Sequence, residues 1–160
     1  MDALYQAISM KAGVNVGILS ADERTQLQRL SNNIKQEVLG QDQAVDVICR
    51  AVRRQRVGIG NPSKPPVALL VGDSGTGKTL LAKKLAKNLF GSENSMVRLD
   101  MSEYADKINA NKLIGSAPGY VGYEDGGVLT EAIKKNPHCV VLLDEIEKAN
   151  EDVFNTFLQV

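Results

Sequence analysis

The sequence has few of the residues that build disulfide-linked or metal-based scaffolds. Only two of its 160 residues are cysteines, Cys49 and Cys139, and only one is a histidine, His138. The cysteines lie far apart without metal-type spacing, which argues against a disulfide framework and favours a reducing, intracellular compartment. A lone histidine just before an apolar segment builds neither a metal cluster nor a catalytic triad, so we expect a structural role for His138.

Net charge and long apolar runs are also absent. The 19 lysines and arginines balance 19 aspartates and glutamates, so no overall field attracts nucleic acid or an anionic membrane. No run approaches the roughly 20 apolar residues that span a bilayer, and the acidic start at Asp2 does not resemble a signal peptide. We therefore expect a cytoplasmic protein, or one of an organelle stroma or matrix, with no nucleic-acid or membrane partner. The basic cluster Arg50, Arg53, Arg54 and Arg56 is interpreted as a solvated face or a contact between subunits.

The hydrophobic pattern changes near residue 66. Helical periodicity predicts helices over 4–12, 21–38 and 41–57, the second with a capping box at Ser20 and Glu23. Three prolines within 61–66 then interrupt the chain. Beyond them, short apolar segments alternate with helical ones, which is typical of an α/β fold of three layers around a parallel sheet. The predicted strands are 67–71, 96–99 and 139–143, and the predicted helices are 80–90, 102–114 and 128–135.

A glycine-rich loop connects the predicted strand 67–71 to the helix after it. Residues 72–79 match the phosphate-binding pattern of two glycines five residues apart followed by lysine and a hydroxyl residue. Glycines let the backbone amides approach a phosphate, and the helix adds the positive end of its dipole. Lys78 would give a charge to the outer phosphates and Thr79 a hydroxyl to magnesium. The alternative is a glycine-rich turn with an exposed lysine. The predicted nucleotide-contacting residues here are Gly72, Asp73, Ser74, Gly75, Thr76, Gly77, Lys78, Thr79 and Leu80.

Two acidic residues follow the apolar segment 139–143. Carboxylates at the carboxyl end of a central parallel strand point into the ligand crevice. Asp144 is therefore predicted to hold magnesium through its water shell, and Glu145 to orient or deprotonate the attacking water; with Lys78 they form the predicted catalytic set. The alternative is that Asp144, Glu145 and Glu147 form the solvated first turn of the next helix, where its dipole favours acidic side chains.

The two motifs and the residues between them resemble the second ATPase module of Clp-type AAA+ unfoldases and disaggregases, over nearly all of residues 20–160. Residues 99–104, Leu-Asp-Met-Ser-Glu-Tyr, resemble the family's stretch after its second strand, and the segment from Gly115 to Tyr123 resembles its pore loop. Residues 144–149 and 154–160 continue the resemblance. Val38 and Leu39, with Gly40 and Gln41, resemble the segment that lines the adenine pocket.

The resemblance implies a ring motor that binds ATP or ADP with magnesium. Its subunits would form a head-to-tail hexamer in which Tyr120 and Val121 face the axial channel and grip unfolded or aggregated protein. A Clp-type peptidase and adaptors are further partners within the family. Residues 1–37 would be a helical connector and 38–160 part of the nucleotide-binding subdomain. The alternative for Tyr120 is a tyrosine-bearing surface turn.

The sequence departs from the family's pattern at several positions, and its last segment predicts where the fold is cut off. Asp73 stands where the family commonly has proline, and Asn150 and Glu151 stand where it commonly has histidine and proline. Segment 151–160 places apolar residues on one face and stops without a helix-ending signal, which predicts a fold truncated after the acid-bearing strand and its following helix. The family's first sensor, arginine finger and second sensor would lie beyond Val160, so we expect little or no ATP hydrolysis from these residues alone.

Two other functions stay open as alternatives. A nucleic-acid-directed AAA+ ATPase, such as a helicase loader, predicts a basic loop in place of residues 119–123. A nucleotide-sensing module without turnover predicts the loss of the acidic pair.

Overall fold

The computed structural model describes residues 21–59, 61, 64–115 and 126–157. The predicted helix over 4–12, the Ser20 cap, the pore-loop residues Tyr120 and Val121, and the end of segment 151–160 lie outside these ranges. The described helices are α1 (Ala21–Glu37), α2 (Asp42–Arg56), α3 (Lys78–Phe90), α4 (Lys107–Ile114), α5 (Val128–Lys135) and α6 (Glu151–Phe157). The strands are β1 (Met96–Asp100) and β2 (Val140–Asp144), and short 3-10 helices cover Met101–Tyr104 and Ile146–Lys148.

Within the described ranges the structure has helices where the sequence predicts them, with shifts that follow from local capping. Helix α3 begins two residues earlier than predicted because Gly77, in a left-handed conformation with φ 92°, ends the loop directly before Lys78. The predicted stretch 102–114 is two segments instead of one. Asp100 accepts a hydrogen bond from the Ser102 amide, and Asp106 accepts one from the Asn109 amide, so each aspartate starts a new helical segment.

The predicted strand over 67–71 is wrong. This segment has no regular secondary structure, and Val67, Leu69 and Val71 are 72%, 75% and 87% exposed. Only Leu70 among them packs against a core. An apolar run supplies side chains for a sheet, but a strand also requires a neighbour that accepts and donates its backbone hydrogen bonds. In the described part of the chain the sheet has two strands, and segment 67–71 is not one of them.

Strands β1 and β2 pair in parallel, as the sequence predicts. Met96 lies opposite Val140, and Asp100 lies opposite Asp144. The crossover between them contains α4 and α5, and α5 packs against β1 while α3 packs against both strands. Parallel pairing brings the carboxyl ends of both strands to one edge, where Asp100 and Asp144 stand side by side.

The buried apolar residues form two clusters. The helical cluster joins α1, α2, α3 and the residue after α1, and it contains Leu30, Ile34, Val38, Val45, Ile48, Cys49, Val52 and Leu81. The sheet cluster lies between β1, β2 and the helices of the crossover, and it contains Leu99, Met101, Tyr104, Ala110, Leu113, Leu129 and Val153. Each fully buried Leu, Ile or Val side chain stabilises the fold by roughly 1.5–3 kcal/mol relative to exposure.

Polar contacts connect α1 to its neighbours. The Lys84 ammonium lies 2.6 Å from Glu37 and 2.7 Å from Glu93. The hydrogen bond from Lys84 lowers the pKa of Glu37, and the bond to Glu37 raises the pKa of Lys84. Arg53, one of the basic cluster on α2, donates to the backbone carbonyl of Leu27 at 2.7 Å. In the described ranges, no helix has the length and apolar character that crossing a membrane requires.

Candidate nucleotide-binding site

The loop of residues 72–79 turns sharply at two glycines before it enters α3. Gly75 and Gly77 have φ of 81° and 92°, and a Cβ added to either would meet no protein atom within 4 Å. The fold itself therefore requires glycine at these positions because of the left-handed backbone, not because of crowding within the chain. The open space beside both residues is the side from which a phosphate could approach the loop.

Lys78, the first residue of α3, bends back over the loop. Its ammonium donates to the carbonyl oxygens of Gly72 at 2.6 Å and Asp73 at 2.7 Å. The Thr76 hydroxyl donates to the same Asp73 carbonyl at 2.9 Å. These bonds close the loop on itself and keep the lysine charge at its mouth. Thr79 is half-buried in the first turn of α3, whereas Leu80 is 40% exposed and Asp73 and Ser74 are exposed.

An open pocket lies between this loop and α2. It is lined by residues of α2 and its cap, of segment 67–71, of the loop and of the first turn of α3: Gln41, Ala44, Leu70, Val71, Gly72, Thr76, Gly77, Lys78 and Leu81. Gln41 donates from Nε2 to the Thr76 carbonyl oxygen at 3.2 Å, so the wall of the pocket is bonded to the loop. Of the two residues predicted to contact adenine, Val38 is buried in the helical cluster and Leu39 is 82% exposed.

Asp144 is the last residue of β2, one position further along the strand than predicted. It therefore belongs to the sheet, so the helical alternative is wrong for Asp144. Glu147 does lie in the first turn of the 3-10 helix that follows, with Glu145 as its cap residue. Its side chain is 21% exposed and accepts two hydrogen bonds from Arg98 of β1, from Nε at 3.1 Å and from Nη2 at 2.7 Å, both at Oδ2. The neighbouring Asp100 accepts from the Ser102 hydroxyl and amide, which lowers the pKa of Asp100.

Glu145 has an unusual backbone conformation. Its φ of 53° is the only positive φ of a residue other than glycine in the described part of the chain. A left-handed residue with a Cβ costs on the order of 1–3 kcal/mol, and such residues concentrate at functional sites. Its carboxylate bonds to the Lys148 ammonium at 2.6 Å, and this bond raises the pKa of Lys148. This residue follows directly on Asp144 and stands at the start of the short 3-10 helix Ile146–Lys148.

The donor set fits magnesium better than a metal held by protein alone. No group of three or more histidine, cysteine or acidic side chains that could hold a metal occurs among the described residues. Magnesium is commonly bound by one or two protein oxygens together with phosphates and water. The Thr79 hydroxyl and the Asp144 carboxylate are oxygen donors of the kind this ion prefers.

Three contacts of the site were not predicted from the sequence. Gln41 was assigned to the adenine segment, but it bonds to the loop, and no local pattern reveals that bond. Arg98 belongs to none of the sequence motifs, although its position two residues before Asp100 places it on the same face of β1. Lys148 stands three residues after Glu145, and a charge pair at that spacing is a recognisable signal on a helical turn.

These observations define a class of protein. A left-handed glycine loop opens a helix, the helix packs on a parallel sheet, and the strand β2 ends in Asp144 and is followed by Glu145, as in nucleotide-binding P-loop proteins. The chain belongs to the AAA domain (Cdc48 subfamily) family, whose model matches residues 64–160. The α/β fold of the P-loop type and the resemblance to Clp-type AAA+ proteins are thereby confirmed.

Several characterised proteins are similar to nearly the whole chain. It is 54% identical over 158 residues to the ATP-dependent Clp protease ATP-binding subunit ClpE of Lactococcus lactis, covering 98% of this chain and 21% of that protein. It is 49% identical over 160 residues to the chaperone protein ClpB of Lactiplantibacillus plantarum, covering 99% of this chain and 18% of that protein. The chaperone protein ClpD of Arabidopsis thaliana, a chloroplast protein, is 52% identical over 160 residues, covering 99% of this chain and 17% of ClpD.

The same relationship appears in three dimensions. A closed-state structure of Hsp104 with ATPγS and FITC casein has a TM-score of 0.88 and 41% sequence identity, covering 99% of this chain and 27% of that one. The chain spans only about a fifth of the length of the curated relatives above, between 17% and 21%.

Proposed function

We propose that this chain is the ATP-binding part of a Clp-type AAA+ ATPase, whose whole length couples ATP hydrolysis to the unfolding and threading of polypeptide through a central pore. One observation carries the proposal: loop 72–79 leads directly into α3, and α3 packs against β2, the strand that ends in Asp144. The named relatives, which are Clp ATP-binding subunits and chaperones, support it.

The loop amides and Lys78 would bind the phosphates of ATP or ADP. Lys78 now bonds to the carbonyls of residues 72 and 73, and on binding it would exchange these for phosphate oxygens. Thr79 and Asp144 would hold magnesium, which offsets the charge that develops on the phosphates. Gln41 and Ala44, with Val38 and Leu39 nearby in the chain, would form the nucleoside side of the site.

Glu145 would orient the attacking water and accept its proton. The positive φ of this residue supports the role, because a strained conformation persists only where the surrounding structure maintains it. Its carboxylate is paired with Lys148 at 2.6 Å, and the exposed fractions of the two side chains, 47% and 54%, leave room for the pair to separate. Exposed ion pairs contribute little to stability, so separating this one costs little.

The parts of the proposal that concern the whole protein rest on the resemblance of the sequence to Clp-type AAA+ proteins. Residues 1–37 would form a helical connector and 38–160 part of the nucleotide-binding subdomain. Subunits would assemble head to tail into a hexameric ring, with Tyr120 and Val121 gripping unfolded or aggregated protein in the channel. A Clp-type peptidase and adaptors are further proposed partners, and the cytoplasm, or an organelle stroma, is the proposed compartment.

Nucleotide binding by this chain is the first test. Lys78→Ala removes the charge at the loop mouth, so we expect binding of a fluorescent ATP analogue to weaken roughly 10- to 100-fold, as for a lost hydrogen bond between charged groups. Lys83→Ala, an exposed lysine of the same helix, is the matched control and should bind like the wild type. Equal affinities for Lys78→Ala and the wild type would mean that the loop does not bind the phosphates.

The second test compares ATP hydrolysis by this chain with ATP hydrolysis by the full-length protein. We expect little or no ATP hydrolysis from these 160 residues alone, and robust turnover by them would contradict that. In the full-length protein, Glu145→Gln should bind ATP, fail to hydrolyse it and retain substrate protein. Tyr120→Ala should keep its ATPase activity and lose unfolding of a tagged substrate; unimpaired unfolding would remove the pore role of this residue.

A further inference from the structure

In the described part of the chain, Arg98 makes a two-bond contact to the carboxylate of Asp144. The proposed function does not use this contact. The Nε and Nη2 atoms of Arg98 both donate to Oδ2 of Asp144, at 3.1 and 2.7 Å. The Oδ1 atom takes no part in this pair. The Asp144 side chain is 21% exposed, so the pair is partly shielded from solvent on the carboxylate side.

The strand register explains how Arg98 reaches this position. Arg98 lies opposite Leu142, two residues before the pair formed by Asp100 and Asp144. Side chains two residues apart point to the same face of a strand, so Arg98 extends along the sheet toward its carboxyl edge. Two carboxylates stand side by side at that edge, and like charges directly opposite each other destabilise a sheet. The Arg98 guanidinium offsets the charge of Asp144.

The charge balance at this edge matters for a polyphosphate. An unpaired aspartate beside a phosphate-binding loop repels the nucleotide until a cation neutralises it. A guanidinium that holds one oxygen of that aspartate reduces the repulsion before the cation arrives, while the second oxygen stays outside the pair. Other surface ion pairs in the described chain, such as Lys107 with Asp152 at 3.6 Å, do not involve a carboxylate of the candidate nucleotide site.

We propose that Arg98 is a positioning residue for magnesium at Asp144: it holds Oδ2, offsets the carboxylate charge toward the nucleotide and leaves Oδ1 to face the cation. The proposal rests on the proposed nucleotide site. It implies that Arg98 governs how strongly nucleotide binding depends on magnesium. A residue that only joins the two strands would change the stability of the sheet without changing this dependence.

The test compares the affinity for a fluorescent ATP analogue with saturating magnesium and with EDTA. For Arg98→Gln we expect binding without magnesium to weaken about tenfold and binding with magnesium to change less than about twofold, because magnesium replaces the lost positive charge. Arg98→Lys keeps the charge and should restore most of the magnesium-free affinity. In an Asp144→Asn background, Arg98→Gln should have no effect on either affinity, since no carboxylate remains to be offset.

The controls separate the possible failures. Lys107→Gln removes an exposed ion pair and should leave both affinities unchanged, and urea unfolding of each variant reports folding. Equal weakening of Arg98→Gln with and without magnesium, or no weakening in either condition, would overturn the positioning role. Absence of nucleotide binding by the wild-type chain would instead overturn the proposed function itself, and the positioning role with it.

Discussion

The two sides of the candidate site are held by contacts of very different range. On the phosphate side, Lys78 bonds to loop carbonyls five and six residues earlier in the chain. On the carboxylate side, Asp144 is held by Arg98, which lies 46 residues earlier and on another strand. A local sequence pattern can therefore specify the first side, whereas the second exists only when the crossover has brought β1 beside β2.

Each side of the site also has its own hydrophobic cluster. The helical cluster supports the phosphate side through Leu81, which packs α3 against α1 and α2. The sheet cluster supports the carboxylate side and joins β1, the crossover and α6. Because the two clusters share no buried residue, we expect a substitution in one to disturb mainly the elements of that cluster.

The largest expected effect on stability comes from truncating one fully buried side chain in each cluster. Ile34→Ala in the helical cluster and Leu113→Ala in the sheet cluster remove side chains that are 0% exposed, and each should cost roughly 2–5 kcal/mol in unfolding free energy. Amide hydrogen exchange should rise mainly in α1 and α2 for the first variant, and mainly in β1 and α4 for the second. An equal rise throughout the chain would show that the clusters unfold as one unit.

A smaller effect is expected at the junction of α4 and α5. Gly115 has φ 108° and ψ 151°, a region essentially restricted to glycine, and an added Cβ would lie 3.1 Å from the Gly127 amide nitrogen. Gly115→Ala should lower the unfolding free energy by roughly 2–3 kcal/mol. Gly58→Ala is the control on the helical side, since its φ is also positive, at 77°, but nothing lies within 4 Å of an added Cβ.

Gly58→Ala should lower the unfolding free energy by only about 1 kcal/mol, because the left-handed backbone is unfavourable for alanine but the added Cβ meets no other atom. Urea unfolding of both variants measures the difference directly. Equal costs at the two positions would mean that the close approach of Gly115 to Gly127 does not contribute to stability.

The bond between Gln41 and the loop gives a test confined to the phosphate side. Gln41→Glu replaces the donor to the Thr76 carbonyl with an acceptor, so we expect ATP affinity to fall roughly five- to tenfold, as measured by titration calorimetry. Gln43→Glu makes the same charge change on an exposed residue of α2 and should have little effect. If the two variants weaken binding equally, the loss is electrostatic and does not come from the bond.

The smallest expected effect is a pH dependence on the helical side. Hydrogen bonds from Lys84 and Lys87 lower the pKa of Glu37 in the folded chain. The unfolded chain therefore binds more protons in acid, so this contribution is present at neutral pH and is lost as the pH falls through the folded pKa. Glu37→Gln should show a shallower loss of stability below the ordinary glutamate pKa, measured by urea unfolding over a pH series.

Glu103→Gln, an exposed glutamate on the sheet side, serves as the control for that charge change. It should keep the acid dependence of the wild type. An unchanged pH profile for Glu37→Gln would show that the contacts between α1 and α3 contribute nothing measurable, as many exposed ion pairs do.

Two predicted strands show how far an apolar pattern reaches. Segments 67–71 and 139–143 have similar apolar composition, yet only the second forms a strand, shifted by one residue to Val140–Asp144. The pattern describes which side chains avoid water, but pairing depends on whether a neighbouring strand is present to complete the backbone hydrogen bonds. In the described chain β1 supplies that neighbour for β2, whereas segment 67–71 is unpaired and only its Leu70 packs against a core.

By itself the sequence determined the glycine-rich loop and the approximate positions of the helices, because glycine conformation and helical periodicity act within a few residues. Only the tertiary structure decided which strands pair, that Arg98 holds Asp144, that Lys148 holds Glu145 and that Gln41 reaches the loop. Apart from the turn that joins Glu145 to Lys148, these contacts connect residues distant in sequence. Their partners are chosen by strand register and helix packing, which no local pattern encodes.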